Sequence, residues 1–228
     1  MIMEKFQKKN TAKDCFLRDK ILYVALAILF LVDLFFVYSG NTNERFFTKT
    51  LLVPMMVFIY LKERQSTETA VSKSLNKLFL AGLLFSFMGD VFLLFNCGFL
   101  PGLGFFLAAH VCYIFSLKAI GKGGINYKYL IFIAVYYFIL IISLYQYLNE
   151  MKTPVMIYGL VISTMLYFSL KTKEKLLIAG ALLFVISDSL LSVNLFVKET
   201  LFLSITVMIT YVFAQMFLIK GILKVSKH

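Results

Sequence analysis

Eight apolar stretches of about 16 to 22 residues, joined by short polar connections, fill almost all of this 228-residue chain. They run from Ile21 to Tyr38, Phe46 to Leu61, Leu75 to Phe95, Phe99 to Leu117, Tyr129 to Leu148, Pro154 to Leu170, Leu176 to Val197 and Leu201 to Ile219. A hydrocarbon core of roughly 30 Å takes about 20 residues of helix to cross, so stretches of this length and number call for lipid as their solvent. Composition agrees, because 61% of the residues are hydrophobic and only 15% charged, against about 25% charged in soluble domains. The expected fold is an all-α integral membrane protein with eight transmembrane helices. It divides into a basic tail (residues 1–20), a single membrane domain (21–221) and a short tail (222–228). The first stretch reads as a retained helix and not a cleaved leader, since it is longer than a leader's apolar segment and Ala25-Leu26-Ala27 falls inside it.

The basic residues set an expected orientation. If each stretch crosses, 19 of the 23 lysines and arginines fall on one side, in the N-terminal tail, around Lys62 and Lys77, Lys118 and Lys128, Lys171 and Lys175, and in the C-terminal tail. Arg45, Lys49, Lys152 and Lys198 are left for the other side. By the positive-inside bias both termini are cytoplasmic. A net charge of +11 suggests nucleic acid as a partner, but the charges are scattered over short loops with no folded module to present them, so no nucleic-acid binding is expected. The cysteines Cys15, Cys97 and Cys112 are odd in number and lack a CxxC pair, and neither a disulfide nor a metal framework follows. Gly121, Gly123 and Gly124 lack the strand and helix that flank a phosphate loop and read as a turn.

The chain repeats itself. Lys77 to Asn96 and Lys175 to Asn194 match at an offset of 98, with Lys77, Leu78, Ala81, Gly82, Leu84, Asp90, Leu93 and Asn96 all kept. The same offset carries Tyr113 onto Tyr211, and Pro54 has a counterpart in Pro154. Helices one to four are thus expected to recur as five to eight, in units of 21–118 and 127–221. Four helices separate equivalent positions, which makes the repeat parallel.

Only three of the twelve acidic residues, Asp33, Asp90 and Asp188, lie inside apolar stretches. Carboxylates are costly in lipid and usually mark a functional interior. Asp90 and Asp188 occupy the same place in the repeat, about 13 residues or roughly 20 Å from a cytoplasmic-edge lysine, so both fall in the non-cytoplasmic half. The helix returning from Asp90 brings His110 to a similar depth, with Tyr113 one turn on. Asp188 is flanked by Ser187 and Ser189, and its return helix carries Tyr211 and Gln215. Asp33 has no evident partner and fits an interhelical hydrogen bond better. With His228 as the only other histidine, a zinc site is not expected.

These residues resemble the YhhN-type lysoplasmalogenase family. The likeness rests on Gly89-Asp90-Val-Phe-Leu-Leu, Phe99, Gly102, Phe106, Ala109-His110-Val-Cys-Tyr113, Tyr158-Gly159 with Met165, Gly180-Ala181 through Ser187-Asp188-Ser189, and Thr210-Tyr211 with Ala214-Gln215. Lys49 before Pro54 is similar to the family's basic residue and proline, while Thr50 stands where its pattern has another proline. The resemblance implies an eight-helix membrane enzyme that cleaves the vinyl ether of lysoplasmalogens to a fatty aldehyde and a glycerophospho-alcohol, without a cofactor. Its partner is a lysophospholipid within the bilayer, in a bacterium that of the inner membrane.

Such chemistry needs an acid to protonate the alkene carbon, stabilisation of an oxocarbenium ion, and a base to deliver water, a division of labour that glycosidases make between two carboxyl groups. Asp90 and Asp188 suit the pair, and one of two neighbouring carboxyls in a low-dielectric cavity is expected to keep its proton. Repeat symmetry leaves the assignment open. His110, Tyr113, Tyr158, Ser187, Tyr211 and Gln215 are candidates to orient water or bind substrate, and Lys49 to bind the lipid phosphate. A proton-coupled transporter or a lipid-binding scaffold would also place acids in a membrane cavity.

Overall fold

The computed structural model describes residues 2–64, 70–95, 97–121 and 124–226, with side chains from Lys20 onward except those of 70–73. The side chains of Lys5, Lys8, Lys9, Lys13, Cys15, Arg18 and Lys73, together with Asn96, Lys122, Gly123, Lys227 and His228, lie outside the described residues. Among the described residues eight α-helices follow one another, α1 (Ile2–Ser39), α2 (Thr42–Arg64), α3 (Ala70–Phe92), α4 (Phe99–Ile120), α5 (Tyr127–Leu144), α6 (Lys152–Thr172), α7 (Lys175–Phe196) and α8 (Leu201–Val225). A single 3-10 turn (Asn149–Met151) precedes α6.

Local signals set several of the ends. The Asn126 side chain accepts from the backbone N–H groups of Lys128 and Tyr129, and Thr200 accepts from that of Leu203 at 3.2 Å, satisfying donors that a helix start leaves open. Two ends fall short of the apolar stretches. α3 stops at Phe92, where Phe95 N–H turns back onto the Phe92 carbonyl and Gly98 N–H onto that of Phe95. α5 stops at Leu144, and Tyr147 N–H closes a turn on that residue's carbonyl. In both places the chain must reverse into the next helix, and hydrophobicity does not encode that.

Seven of the eight helices are long and apolar enough to cross a bilayer. The exception is α2, whose Glu44, Arg45, Lys49, Lys62, Glu63 and Arg64 exceed what a lipid-facing span tolerates. It turns Thr48, Leu52, Val53, Met56, Ile59 and Tyr60 inward instead. Outward faces carry large apolar side chains, among them Leu31, Phe35, Ile131, Phe138, Ile142 and Phe202, all exposed. The chain is a multi-pass membrane protein.

The helix hairpins α3–α4 and α7–α8 form the most extensive interfaces, and α4 also packs on α6 and α2 on α8. Close approach within each hairpin needs a glycine. A Cβ on Gly82 would stand 2.4 Å from the Tyr113 ring and 3.2 Å from the Ala109 carbonyl; one on Gly180 would stand 2.9 Å from the backbone of Leu218 and 3.0 Å from the Ala214 carbonyl. Such small-residue contacts let membrane helices approach and gain dispersion energy where water cannot drive association. They also correct the register. Ala109 corresponds to Ala214 and Tyr113 to Leu218, an offset of 105, so the sequence match of Tyr113 with Tyr211 is not a structural equivalence. The second hairpin is seven residues longer, six of them added in the α7 arm and three in the α8 arm against a link two residues shorter.

A polar girdle ties one end of the bundle together. Tyr23 Oη donates to Glu63 at 2.6 Å, Tyr60 and Ser226 both donate to Asn76 Oδ1, and Lys224 pairs with Glu174 at 2.7 Å. The start of the apolar part of α1 and the end of α8 therefore share this end. The other end holds a cavity.

Candidate active site

A cavity of about 300 Å³ opens between the first turns of α2, α4, α6 and α8 and the last turns of α3 and α7. Arg45, Lys49, Asp90, Tyr158, Ser187, Asp188, Glu199 and Tyr211 are among its polar lining, against apolar walls that include Leu93, Phe99, Leu103 and Phe106. Both carboxylates of the repeat thus reach one space, with different company.

Asp90, 4% exposed, is held from two sides. Tyr211 Oη donates to its Oδ2 at 2.6 Å, and the Lys49 ammonium lies 3.6 Å from Oδ1. Behind Tyr211 the network continues inward, since Tyr113 Oη donates to Gln215 Oε1 at 3.1 Å, Gln215 Nε2 lies 3.4 Å from Tyr211 Oη, and Ser86 meets Tyr113 Oη at 3.2 Å. Tyr113 and Gln215 therefore back the site and do not line the cavity.

Among the described residues, no lysine or arginine lies within ion-pair distance of Asp188. The Tyr158 hydroxyl donates to its Oδ2, and His110 Nε2 stands 4.0 Å from the same oxygen, outside hydrogen-bond range. His110 is fully buried with Nδ1 2.6 Å from the Phe106 carbonyl. The ring proton must sit on Nδ1 to make that bond. In the neutral ring Nε2 then presents a lone pair toward Asp188, and among the described residues it has no hydrogen-bond partner. Ser187 donates to the Val207 carbonyl at 3.1 Å, while Ser189 turns away to Tyr136 at 2.5 Å.

The carboxylates take their partners crosswise, a pairing that the common depth expected from the sequence left open. His110, on the helix that follows Asp90, faces Asp188, and Tyr211, on the helix that follows Asp188, bonds Asp90. The cause is packing, because α4 lies on α6 and α8 on α2. The structure also supplies Asp33 with a partner. Thr48 Oγ1 donates to Asp33 Oδ1 at 2.7 Å, joining α1 to α2, and Arg45 and Lys49 stand within electrostatic reach. Arg45 and Glu199 are charged cavity residues that the sequence did not single out. Arg45 counted there only toward the charge of the non-cytoplasmic side, although its spacing of four from Lys49 puts both on one face of α2.

The sequence pattern of the YhhN family matches residues 44–222, from the first turn of α2 into α8, and takes in every residue of this cavity. The chain belongs to the YhhN family. Lysoplasmalogenase TMEM86B of Mus musculus is 33% identical to it over 145 residues, which are 62% of this chain and 62% of that protein. The chain thus aligns with less than two thirds of that relative's length. No solved structure matches it. Asp33, in the last two turns of α1, is the one carboxylate within an apolar stretch of this YhhN chain that falls outside the family match.

Proposed function

We propose that the chain is a lysoplasmalogenase-like membrane hydrolase, in which Asp188 is the general acid and Asp90 the general base. The observation that carries this reading is that two carboxyl groups on one cavity have unlike neighbours. A buried charge is tolerable only when compensated. Asp90 has an ammonium against it and suits the ionised form. Asp188 has a phenol and an imidazole lone pair; a negative charge there would face that lone pair uncompensated, and a proton removes the conflict.

From these states the reaction closes on itself. Asp188 gives its proton to the alkenyl carbon one removed from the ether oxygen, and positive charge spreads over the adjacent carbon and that oxygen. Water adds to the adjacent carbon while Asp90 takes one of its protons, which yields a hemiacetal. Asp90 then returns that proton to the ether oxygen as the carbon–oxygen bond breaks, and Asp188 recovers one from the hemiacetal hydroxyl. The products are a fatty aldehyde and a glycerophospho-alcohol, and both carboxyls are reset. Tyr211 and Lys49 hold Asp90; Tyr158 holds Asp188 by Oδ2, leaving Oδ1 as the oxygen that carries the transferred proton. The apolar walls receive the hydrocarbon chain, whose burial contributes about 0.8 kcal/mol per methylene.

The cavity opens at the end opposite the polar girdle and the basic loops. With the positive-inside bias this gives eight spans, both termini cytoplasmic and a site in the outer half of the membrane, built at the interface of two parallel four-helix units.

The experiment is turnover by the detergent-purified full chain. A lysolipid with a vinyl ether should release aldehyde, and the saturated ether of equal length and headgroup should bind, inhibit and remain intact. Binding without cleavage of either would point to a scaffold, and proton-coupled flux in sealed vesicles without turnover would point to a transporter; both would overturn the hydrolase reading.

A further inference from the structure

Asp33 lies in the last two turns of α1 and is fully buried, although its neighbours Leu31, Val32 and Phe35 are exposed. It meets α2. Thr48 Oγ1 donates to its Oδ1 at 2.7 Å, while Oδ2 has no hydrogen-bond partner among the described residues. One neutral hydroxyl does not compensate a carboxylate charge in such a place. The compensation within reach is on the same face of α2, where Arg45 and Lys49 lie one turn apart with Thr48 between them. Both act on Asp33 electrostatically, Arg45 the more strongly, and the Arg45 Nε–H is itself buried without a partner among the described residues. Lys49 in turn stands 3.6 Å from Asp90 and is attracted by both carboxylates. Two carboxylates, on α1 and α3, thus enclose two cations on α2, and the four charges cancel.

That balance bears on the reaction. Asp90 has to be ionised, yet not held so firmly that it refuses a proton from water, and the same cavity has to tolerate an oxocarbenium ion. With Arg45 and Lys49 both acting on Asp90 alone, a net positive charge would oppose that cation, and such fields reach several ångströms where water is excluded. Asp33 removes one of the two charges. We infer that Asp33 is a positioning residue of the active site, which balances Arg45 and, through Thr48, fixes the turn of α2 that sets Lys49 against Asp90. It does not line the cavity and acts on the reacting groups only through α2. The catalytic part of this inference rests on the hydrolase reading, and the charge pairing does not.

The test is a double-mutant cycle on the detergent-purified full chain, read by thermal unfolding and by aldehyde release from a vinyl-ether lysolipid. Asp33→Asn keeps the size of the side chain and an oxygen for Thr48 but loses the charge. It should lower kcat about tenfold and change KM by less than about threefold. Arg45→Gln leaves the fully buried Asp33 with less compensation and should lower the melting temperature by several degrees. Asp33→Asn/Arg45→Gln is balanced again. It should regain most of that melting temperature, and its kcat should return to within about threefold of wild type, a recovery that two independent structural lesions would not give. Asp33→Glu retains the charge, should stay closer to wild type in kcat than Asp33→Asn, and carries the test if the asparagine variant does not fold. A kcat for Asp33→Asn within about twofold of wild type, or a double variant whose losses are the sum of the single ones, would overturn the inference. Wild-type protein that leaves vinyl ethers intact would end the hydrolase reading, while recovery of the melting temperature in the double variant would still establish the pair. Efficient turnover with additive losses would sink this inference alone.

Discussion

Removing one oxygen from Tyr211 separates catalysis from packing at Asp90. Tyr211→Phe deletes the hydroxyl that donates to Asp90 Oδ2 at 2.6 Å and keeps the ring, which packs edge-on against Phe106 and Phe184 with centroids 6.0 and 5.5 Å away. A hydrogen bond to a charged group contributes about 1.5–3 kcal/mol, which translates to a loss of roughly 10- to 150-fold if it is felt in the transition state. Lys49 remains on Oδ1, so the loss should stay smaller than that from removing the carboxylate itself. The assay is kcat for aldehyde release in detergent, with thermal unfolding of the same preparation. Gln215→Leu provides the control on the mechanism. Gln215 acts on Asp90 through Tyr211, so its effect on kcat should largely vanish in the Tyr211→Phe background, a coupling that a double-mutant cycle measures. A Tyr211→Phe enzyme within twofold of wild type, or one whose activity falls only in step with its melting temperature, would refute the role assigned to this bond.

Asp90→Asn and Asp188→Asn should each lower kcat by about 10²- to 10⁴-fold with unchanged elution on gel filtration; near-normal turnover by either would end the two-carboxylate scheme. Gly180→Ala puts a methyl 2.9 Å from the Leu218 backbone and should cost about 1–3 kcal/mol, seen as a drop of several degrees in melting temperature, whereas Gly104→Ala, with nothing within 4 Å, should change it little. An impermeant thiol reagent applied to intact cells should label the native, exposed Cys97 and cysteines placed at Asn43 and Lys198, but not one placed at Lys173; the reverse pattern would invert the orientation.

Eight helices were legible in the sequence because lipid imposes its own length scale on each crossing, and the repeat exposed Asp90 and Asp188 because a carboxylate is too costly in lipid to recur by accident at one depth. Depth, however, does not say which helices touch. His110 and Tyr211 were placed at the level of the carboxylates without a partner assigned to either, since the packing of α4 on α6 and α8 on α2 is decided by side-chain shape across the bundle. The constant offset of 98 failed in α8 for a related reason. The added length of α7 and α8 leaves the apolar pattern intact, and the Tyr113–Tyr211 match concealed it. Arg45 was hidden by bookkeeping of charge, which assigns a basic residue near a helix start to the rim, although the spacing from Lys49 already put both on one face. Asp33 needed Thr48, an ordinary residue whose role only the contact of α1 with α2 reveals.

Proton delivery to carbon is the step for which a buried carboxylic acid is required, and deuterium reports it directly. The purified chain would turn over a vinyl-ether lysolipid in heavy water, with the aldehyde reduced by borohydride as it forms so that enolisation adds no label. Asp188 equilibrates with solvent before each turnover, so the released chain should carry one deuterium on the carbon next to the former carbonyl, and none in the saturated-ether control, which is not cleaved. Aldehyde formed without that deuterium, or cleavage of the saturated ether at a comparable rate, would contradict acid catalysis by Asp188 with Asp90 as its base.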